Sequence, residues 1–330
     1  KVWKLPLGGP QSRGKALVNL LPLENDERIT TIMPLPEDET TWETLDVMFA
    51  TTRGTVRRNK LSDFVQVNRN GKIAMKLEDN DGIVDVATCS ANDDVLLTTS
   101  AGQGIRFQVE DVRVFAGRNS VGVRGIRLAE DDTVISMAIM RGFDASAAER
   151  LAYLRRAAAD RRAVAEDDGT EDVAADEADT DAEEAVEEAA LDIERYAEMG
   201  AAEQFILTVS EKGFGKRASS YDFRVSGRGG KGLKVTDQSK MGEIGRLVAA
   251  FPVEDSDQIM LVSNAGQLIR VPVENIRFTS RASKGVRVFR TAEDENVVSV
   301  ERISDPEGDE DEAADGTNED DGPDTGTSDT

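Results

Sequence analysis

The sequence contains no histidine and a single cysteine, Cys89, in 330 residues. Histidine is the commonest general base and a frequent metal ligand, so its absence argues against the usual catalytic centres. A single cysteine excludes an internal disulfide framework and a cysteine-rich zinc site. No stretch approaches the roughly 18–20 apolar residues that cross a membrane, and no signal peptide opens the chain. These absences favour a cytoplasmic protein without a metal site.

Positive charge is scarce overall, because 40 lysines and arginines face 64 aspartates and glutamates, a net charge of −24. The acidic excess lies in two segments. Residues 144–203 and 305–330 together hold 32 acidic and 6 basic residues, whereas residues 1–143 and 204–304 together hold 32 acidic and 34 basic residues. Nucleic acid responds to a local basic surface rather than to the total charge. The composition is therefore compatible with nucleic-acid binding by the two balanced segments.

Four segments share one spacing of glycine and charged residues. In each, a first glycine follows an apolar run, an arginine stands four residues later, and an acid or amide stands nine residues later. A second glycine then ends a basic loop. The first glycines are Gly54, Gly102, Gly213 and Gly266; the arginines are Arg58, Arg106, Arg217 and Arg270; the acids or amides are Asp63, Asp111, Asp222 and Asn275; the second glycines are Gly71, Gly122, Gly232 and Gly285. Four copies in one register predict a repeat architecture.

Each copy predicts a small antiparallel sheet. VMFATT, VLLTTS, ILTVS and IMLVSN are runs of β-branched and apolar residues, which strands favour. The glycine after each run predicts a hairpin turn, because glycine adopts positive φ without steric cost. A return strand carries the arginine, and a last strand follows the second glycine. Periods of roughly 40–50 residues with about four strands are typical of propeller blades, so the predicted fold class is all-β.

Five motifs, NLLPLENDERIT, GVRGIRL, GFGKR, QIMLVSNAGQLIR and RTAEDENVV, resemble the C-terminal domain of the A subunit of bacterial DNA gyrase and occur in the same order. The resemblance implies a six-bladed β-pinwheel that wraps double-stranded DNA around its rim. This segment would be a non-catalytic part of an ATP-dependent type IIA topoisomerase that introduces negative supercoils. The resemblance further implies ATP and Mg²⁺ for the whole enzyme but no cofactor here, the gyrase B subunit with a second A subunit as partners, and a location in the cytoplasm at the nucleoid.

The chain departs from the family pattern at its start and in its middle. The family's first blade, with its basic box QRRGGKG, is expected upstream of Lys1, and the SGRGGKG stretch at 226–232 resembles that box in a later blade. Residues 144–203 interrupt the repeat. The predicted division is the end of a blade at 1–35, blades at 36–92, 93–143, 204–256 and 257–304, an acidic Ala-rich insert at 144–203, and a disordered acidic tail at 305–330.

The insert carries two helical patterns. Ser146 and Glu149 fit a capping box that opens the first helix. The second pattern covers about 181–199, with apolar positions at Val186, Ala190, Ile193 and Ala197. Arginines in the first pattern and acids in the second allow a helical hairpin held by opposite charge. The alternative is a mobile acidic loop that is only partly helical.

The candidate DNA contacts are basic residues in the loops around the second glycines, where glycine permits close approach of phosphate to the backbone. They are Arg69, Lys72, Arg118, Arg124, Arg228, Lys231, Lys234, Arg281, Lys284 and Arg287. The arginines after the first glycines, Arg58, Arg106, Arg217 and Arg270, are weaker candidates. For these four, an ion pair inside the blade with the acid five residues later, or a brace to the backbone, competes with DNA contact.

Two other functions fit parts of the pattern. The C-terminal domain of the topoisomerase IV A subunit has a similar repeat, although typically with fewer or degenerate blades. A protein-binding propeller is the other alternative, but the chain lacks the WD and GH signatures of that class. The Arg195-Tyr196 pair resembles the DNA-cleaving pair of type II topoisomerases, but it lies in the insert, outside the family's cleaving domain. No residue of this segment is therefore assigned a catalytic role.

Overall fold

A computed structural model describes residues 5–8, 12–21, 23, 27, 29–66, 71–165 and 191–304. Most of the regular secondary structure among the described residues is β-strand, which confirms the predicted all-β class. The elements are β1 (Asp46–Thr51), β2 (Thr55–Lys60), β3 (Ile83–Cys89), β4 (Asp93–Thr99), β5 (Gln103–Gln108), β6 (Val123–Arg124), β7 (Val134–Arg141), α1 (Ala147–Ala165), α2 (Ile193–Ala202), β8 (Phe205–Ser210), β9 (Phe214–Ser219), β10 (Leu233–Lys234), α3 (Met241–Ile244), β11 (Leu247–Val253), β12 (Gln258–Ser263), β13 (Leu268–Pro272), β14 (Val286–Arg287) and β15 (Val297–Ile303).

The strands form four antiparallel sheets. Their orders are β3-β1-β2-β6, β7-β4-β5-β10, β11-β8-β9-β14 and β15-β12-β13. We number these sheets one to four. Within the described ranges, the first three sheets have four strands each and the fourth has three. The first strand of each copy forms a hairpin with the second, as the sequence predicts.

The hairpin turns depend on the first glycines. Gly213 has a φ of 73°, and a Cβ atom at this position would lie 2.1 Å from the carbonyl oxygen of Phe289. The amide of Gly213 donates to the carbonyl of Ser210 at 2.9 Å, and its carbonyl accepts the amide of Phe289 at 3.0 Å. Any other residue would combine an unfavourable backbone conformation with a steric clash.

The short outer strand of each complete sheet comes from the following repeat. β6 pairs with β2, where Thr55 faces Arg124, and β10 pairs with β5, where Leu233 faces Gly104. β14 pairs with β9 in the same way. The expectation that each sequence copy forms its own sheet is therefore wrong in one respect, because the strand after the second glycine completes the preceding sheet. Adjacent repeats are consequently joined by backbone hydrogen bonds.

Hydrophobic packing joins the sheets along their inner strands. β3, β7, β11 and β15 contact one another in sequence order. The buried side chains of sheets one and two form one cluster, and those of sheets three and four form another. A third cluster joins sheets two and three through residues such as Met140 and Ile206. The three clusters together form a core that runs across the four sheets. Burying one side chain of this size stabilises the fold by roughly 1.5–3 kcal/mol.

The described part of the insert contains two helices, α1 and α2, that pack against sheet three. Ser146 and Glu149 form the predicted capping box: the Ser146 amide donates to Glu149 Oε2 at 2.7 Å, and the Glu149 amide donates to Ser146 Oγ at 3.1 Å. The rings of Tyr153 in α1 and Tyr196 in α2 lie 5.1 Å apart. Arg195 in α2 pairs with Glu149 at 2.9 Å. The helices are thus joined by aromatic contacts as well as by opposite charge.

The second helical pattern of the insert is confirmed only in its last part. α2 begins at Ile193, and the predicted positions Val186 and Ala190 lie outside the described residues. Ile193 is exposed, whereas Met199 is fully buried and accepts the Tyr221 hydroxyl on its carbonyl at 2.8 Å. The predicted tail at 305–330 also lies outside the described residues. Among the residues that are described, no helix is both long enough and apolar enough to cross a membrane.

Candidate nucleic-acid interface

Three basic loops lie along the outer edges of the first three sheets. We name residues 113–122, 224–232 and 277–285 the first, second and third rim loops. Each rim loop leads into the outer strand, and each begins with a bridge to the preceding sheet, at Val114, Val225 and Phe278. The inner strands are the ones that pack between sheets, so the rim loops lie on the opposite, outward side.

The arginine at the fourth position after the first glycine is a structural residue in sheets one and two. Arg58 and Arg106 are 7% and 4% exposed. Arg58 Nε donates to Asp46 Oδ2 at 2.7 Å, and Arg106 Nε donates to Asp94 Oδ2 at 2.8 Å. A buried, paired guanidinium is not available to a phosphate, so the assignment of these two residues as DNA contacts is corrected.

These arginines also brace the next repeat. Arg58 Nη1 donates to the carbonyl of Val109 at 3.1 Å, and Arg106 Nη1 donates to the carbonyl of Ser220 at 2.9 Å. The expected partner, the acid five residues later, is wrong for both arginines. The observed carboxylate instead lies twelve residues earlier, at the start of the sheet's first long strand.

The other two arginines of this set differ from the first two and from each other. Arg217 Nε donates to the carbonyl of Ile276 at 2.6 Å, and its Nη1 binds Asp255. It therefore also braces the following repeat, although its acid comes from a different position. Arg270 is exposed on β13, the edge strand of the three-stranded fourth sheet.

The predicted rim residues are exposed or half-buried in the described loops. The exposed ones are Arg124, Arg228, Lys231, Lys234 and Arg287, and the half-buried ones are Lys72, Arg118, Arg281 and Lys284. Arg69 lies outside the described residues. Lys72 Nζ donates to the carbonyls of Asp63 at 2.5 Å and Gln66 at 2.8 Å, so it holds its own loop. Lys284 pairs with Glu243 at 2.9 Å on the surface.

Arg228 and Arg281 occupy equivalent positions in the second and third rim loops, and each binds main-chain carbonyls of the repeat before it. Arg228 Nε donates to the carbonyl of Asp111 at 2.9 Å, and its Nη1 donates to the carbonyl of Arg124 at 3.0 Å. Arg281 makes the matching pair of bonds, to the carbonyl of Asp222 at 3.0 Å and to that of Lys234. The basic segments of the three sheets are thereby held next to one another in chain order, which places their charges on one continuous surface.

Two buried cations beneath the rim loops were missed in the sequence. Arg57 and Lys216 stand three residues after Gly54 and Gly213, and they are 0% and 1% exposed. Arg57 donates to carbonyls of the first rim loop, and Lys216 donates to carbonyls of the third. Ile105 occupies the same position in sheet two. The position alternates between cation and isoleucine, so no recurring signal marks it in the sequence.

A cavity of about 230 Å³ opens at the second rim loop. Its lining includes Ile105, Arg106, Arg224 and Lys231, together with glycines of the SGRGGKG stretch. Gly232 has a φ of 77°, and a Cβ atom there would lie 2.2 Å from the carbonyl oxygen of Gly104. Glycine therefore allows this loop to lie directly on β5. The loop presents cationic side chains and backbone, the two kinds of group that contact phosphate.

The described residues hold no cluster of metal ligands and no accessible thiol. No group of three or more histidine, cysteine, aspartate or glutamate side chains with metal-binding geometry occurs among them. Cys89 is buried, and burial raises its pKa to about 12, which suppresses the reactive thiolate.

Sheets that pack through their inner strands and exchange their outer strands define a propeller-type domain, here with a basic outer rim. The profile of the family described as "DNA gyrase C-terminal domain, beta-propeller" matches residues 1–36, 45–90, 93–139, 204–254 and 257–304. The chain belongs to this family.

Relatives named as the A subunit of DNA gyrase match most of the chain. One from Granulibacter bethesdensis is 47% identical over 91% of the chain, one from Rickettsia bellii is 42% identical over 94%, and one from Escherichia coli is 35% identical over 94%. The chain spans 32%, 33% and 28% of their lengths, about a third of each.

Two solved structures share the fold. The structure of a DNA gyrase A C-terminal domain has a TM-score of 0.62 at 20% identity, and the alignment covers 89% of this chain and 76% of that one. The C-terminal domain of a DNA topoisomerase IV has a TM-score of 0.63 at 19% identity, with 88% and 71% covered. At these identities the two structures support the fold alone.

Proposed function

We propose that this chain binds double-stranded DNA along its outer rim and wraps it, as the C-terminal part of a DNA gyrase A subunit. The observation that carries the proposal is the alignment of basic rim segments on three consecutive sheets, linked by Arg228 and Arg281. Backbone phosphates repeat regularly along DNA, so a row of cations along one edge of the protein can contact several of them. The relatives named as DNA gyrase A subunits support the same function.

The proposed contacts are the exposed and half-buried rim cations. They are Arg118, Arg124, Arg228, Lys231, Lys234, Arg281, Lys284 and Arg287, with Lys72, Arg69 and Arg270 as further candidates. Bending 20–30 base pairs costs about 1–6 kcal/mol, and contacts spread along the rim offset this cost through counterion release. Phosphate contacts carry no base information, so binding is expected to show little sequence preference.

In the whole enzyme, this segment would set the path of the DNA. Strand cleavage would belong to another part of the gyrase A subunit, whereas ATP with Mg²⁺ would act on the gyrase B subunit. A second copy of the A subunit would complete the assembly. The cytoplasm, at the nucleoid, is the proposed location.

Charge removal on the rim tests the proposal. Lys231→Gln and Lys234→Gln remove exposed charges from the second rim loop and from β10, which follows it. The slope of log K against log salt for duplex DNA is then measured. Each lost phosphate contact should reduce the slope by about 0.9. Arg302→Gln is the control, since it removes an exposed charge from the inner strand β15; its stability is measured alongside, because Arg302 lies 3.5 Å from the buried Asp257. Equal slopes for rim and control variants that remain folded contradict the proposal.

A further inference from the structure

Lys216 lies beneath the third rim loop and holds it by main-chain carbonyls. Its side chain is 1% exposed. Nζ donates to the carbonyl of Ser280 at 3.3 Å and to the carbonyls of Arg281 and Ser283. Three acceptors match the three N–H donors of an ammonium group. The protonated lysine therefore satisfies three carbonyls that are turned into the protein.

The inward carbonyls fix the outer surface of the loop. In a planar trans peptide the C=O and N–H bonds point in opposite directions, and the chain has no cis peptide bond among the described residues. The carbonyls of Arg281 and Ser283 face Lys216, so the amides of Ala282 and Lys284 point the other way. Outward amides above a buried positive charge suit a phosphate oxygen.

The first rim loop has the same arrangement with a different cation. Arg57 donates to the carbonyls of Gly117 and Ser120 and to Ser120 Oγ, the last at 2.6 Å. An arginine remains protonated throughout the physiological range. In sheet two, Ile105 replaces the cation, and the cavity under the second rim loop lies beside it. The fold thus accepts either an arginine or an apolar side chain at this position.

Lys216 has a pKa close to neutral pH. Burial and then the neighbouring Arg281 lower the pKa of Lys216 to about 7, whereas Asp222 and Asp237 oppose this shift. Burial raises the pKa of Asp222 to about 6, and Arg281 and Lys216 oppose that shift. The sequence contains no histidine, so the side chain that usually titrates near neutrality is missing.

We propose that Lys216 is a proton-linked positioning residue for DNA, and that the protein takes up a proton at this lysine when DNA binds the third rim loop. The inference rests on the proposed function and adds a regulation to it. A neutral amine has two donors, so deprotonation removes one of the three bonds that Lys216 donates to the loop and also removes the charge beneath it. Phosphates placed above the loop favour the charged form, and binding therefore draws a proton from solution.

The sign of the effect follows from this linkage. Below about pH 7 the free protein already holds the proton, so binding takes up little. Above that pH the free lysine is largely neutral, and bound DNA restores its charge. Affinity should therefore fall as pH rises through 7, by at most about tenfold per pH unit for one linked proton.

Calorimetry of linear duplex DNA binding in buffers of different ionisation enthalpy measures the proton uptake. The wild-type chain is expected to take up a fraction of a proton at about pH 7.5. Lys216→Arg, which copies Arg57, should keep the affinity and lose the uptake. Lys216→Ile, which copies Ile105, should lose the uptake and bind more weakly at low pH. Thermal unfolding verifies that both variants are folded.

Asp222→Asn separates the two groups that titrate under the loop. Uptake that persists in Lys216→Arg, or that disappears only in Asp222→Asn, overturns the proposal while salt-dependent DNA binding remains. If none of the proteins binds DNA at low salt, the proposed function itself fails. Equal uptake by wild type and Lys216→Arg likewise contradicts the role of Lys216.

Discussion

Arg106 in sheet two joins a carboxylate and a carbonyl that are 126 residues apart in the chain, because it binds Asp94 at 2.8 Å and the carbonyl of Ser220 at 2.9 Å. The side chain is 4% exposed. The same guanidinium thus neutralises a buried acid of its own sheet and holds the next repeat at Ser220, just before the second rim loop. The 60-residue insert lies between the two ends of this connection and leaves it intact.

Arg106→Met should destabilise the fold strongly, because it leaves Asp94 buried without its partner and a carbonyl of the next repeat without its donor. Removing one partner of a buried ion pair costs about 3–5 kcal/mol. Urea unfolding measures the change. Asp94→Asn added to Arg106→Met should recover part of the loss, since the uncompensated charge is gone. A change below about 1 kcal/mol for the single variant contradicts the structural role.

The loss caused by Arg106→Met should depend on pH. Burial raises the pKa of Asp94 above its usual value, while Arg106 opposes that rise. Without Arg106 the folded-state pKa is higher still, so the folded protein binds a proton that the unfolded chain releases. Stability of the variant should therefore fall as pH rises from the unfolded value towards the folded one. The difference from wild type should shrink in mild acid, as unfolding at several pH values would reveal.

Gly213→Ala and Gly266→Ala separate backbone strain from a steric clash. Both glycines have positive φ, 73° and 81°. A Cβ at Gly213 would lie 2.1 Å from the Phe289 carbonyl oxygen, whereas at Gly266 nothing lies within 4 Å. Gly266→Ala should cost about 1–2 kcal/mol from strain, and Gly213→Ala should cost clearly more. Equal losses in thermal unfolding contradict the close approach of the last repeat to Gly213.

Glu203→Gln tests how firmly the insert is held. Glu203 accepts bonds from Tyr153 Oη at 2.9 Å, Arg161 Nη2 at 3.0 Å and Ser219 Oγ at 2.5 Å. The neutral amide of Gln weakens the bond to Arg161, and its NH₂ group cannot accept a hydrogen bond from the donors around it. The free energy of unfolding should therefore fall by about 1–3 kcal/mol. Glu194→Gln, an exposed acid on α2, is the control. Hydrogen exchange of α1 and α2 reports the local effect.

Deletion of residues 305–330 should tighten DNA binding if the rim is the binding surface. These residues carry twelve acids and no lysine or arginine. A tethered acidic segment competes with phosphate at an effective concentration on the order of mM, and salt screens the attraction beyond about 8–10 Å. The gain should be largest at low salt. Equal affinities across a salt series, with the insert kept in both chains, reject this competition.

Local sequence patterns predicted the two strands of each hairpin and the start of α1, but they did not place the inner strands β3, β7, β11 and β15. The run before Gly102, for example, is apolar and β-branched, and it forms β4. The capping box at Ser146 and Glu149 needs only four consecutive residues. Such features depend on residues that are close together in the sequence, so one sequence is enough to predict them.

The partner of a short strand depends on residues that are distant in sequence. Val123–Arg124 has two residues, and nothing in their composition distinguishes pairing with β2 from pairing inside their own repeat. Arg58 belongs to a recurring pattern, which the sequence reveals. Whether its side chain is buried depends on Asp46 and on the carbonyl of Val109, 51 residues later in the chain. A lysine does not recur at the position of Lys216 in the other repeats. Its place under the third rim loop is therefore visible only in the structure.

The exchange of outer strands leaves no point between Asp46 and Ile303 at which the chain could be divided without separating strands of one sheet. A cut in the insert, for instance, places β4, β5 and β7 on one fragment and their neighbour β10 on the other. The two pieces would still share a sheet and a hydrophobic cluster. They are therefore suited to fragment complementation: separately made halves could recognise each other through the missing strand and rebuild the same molecule.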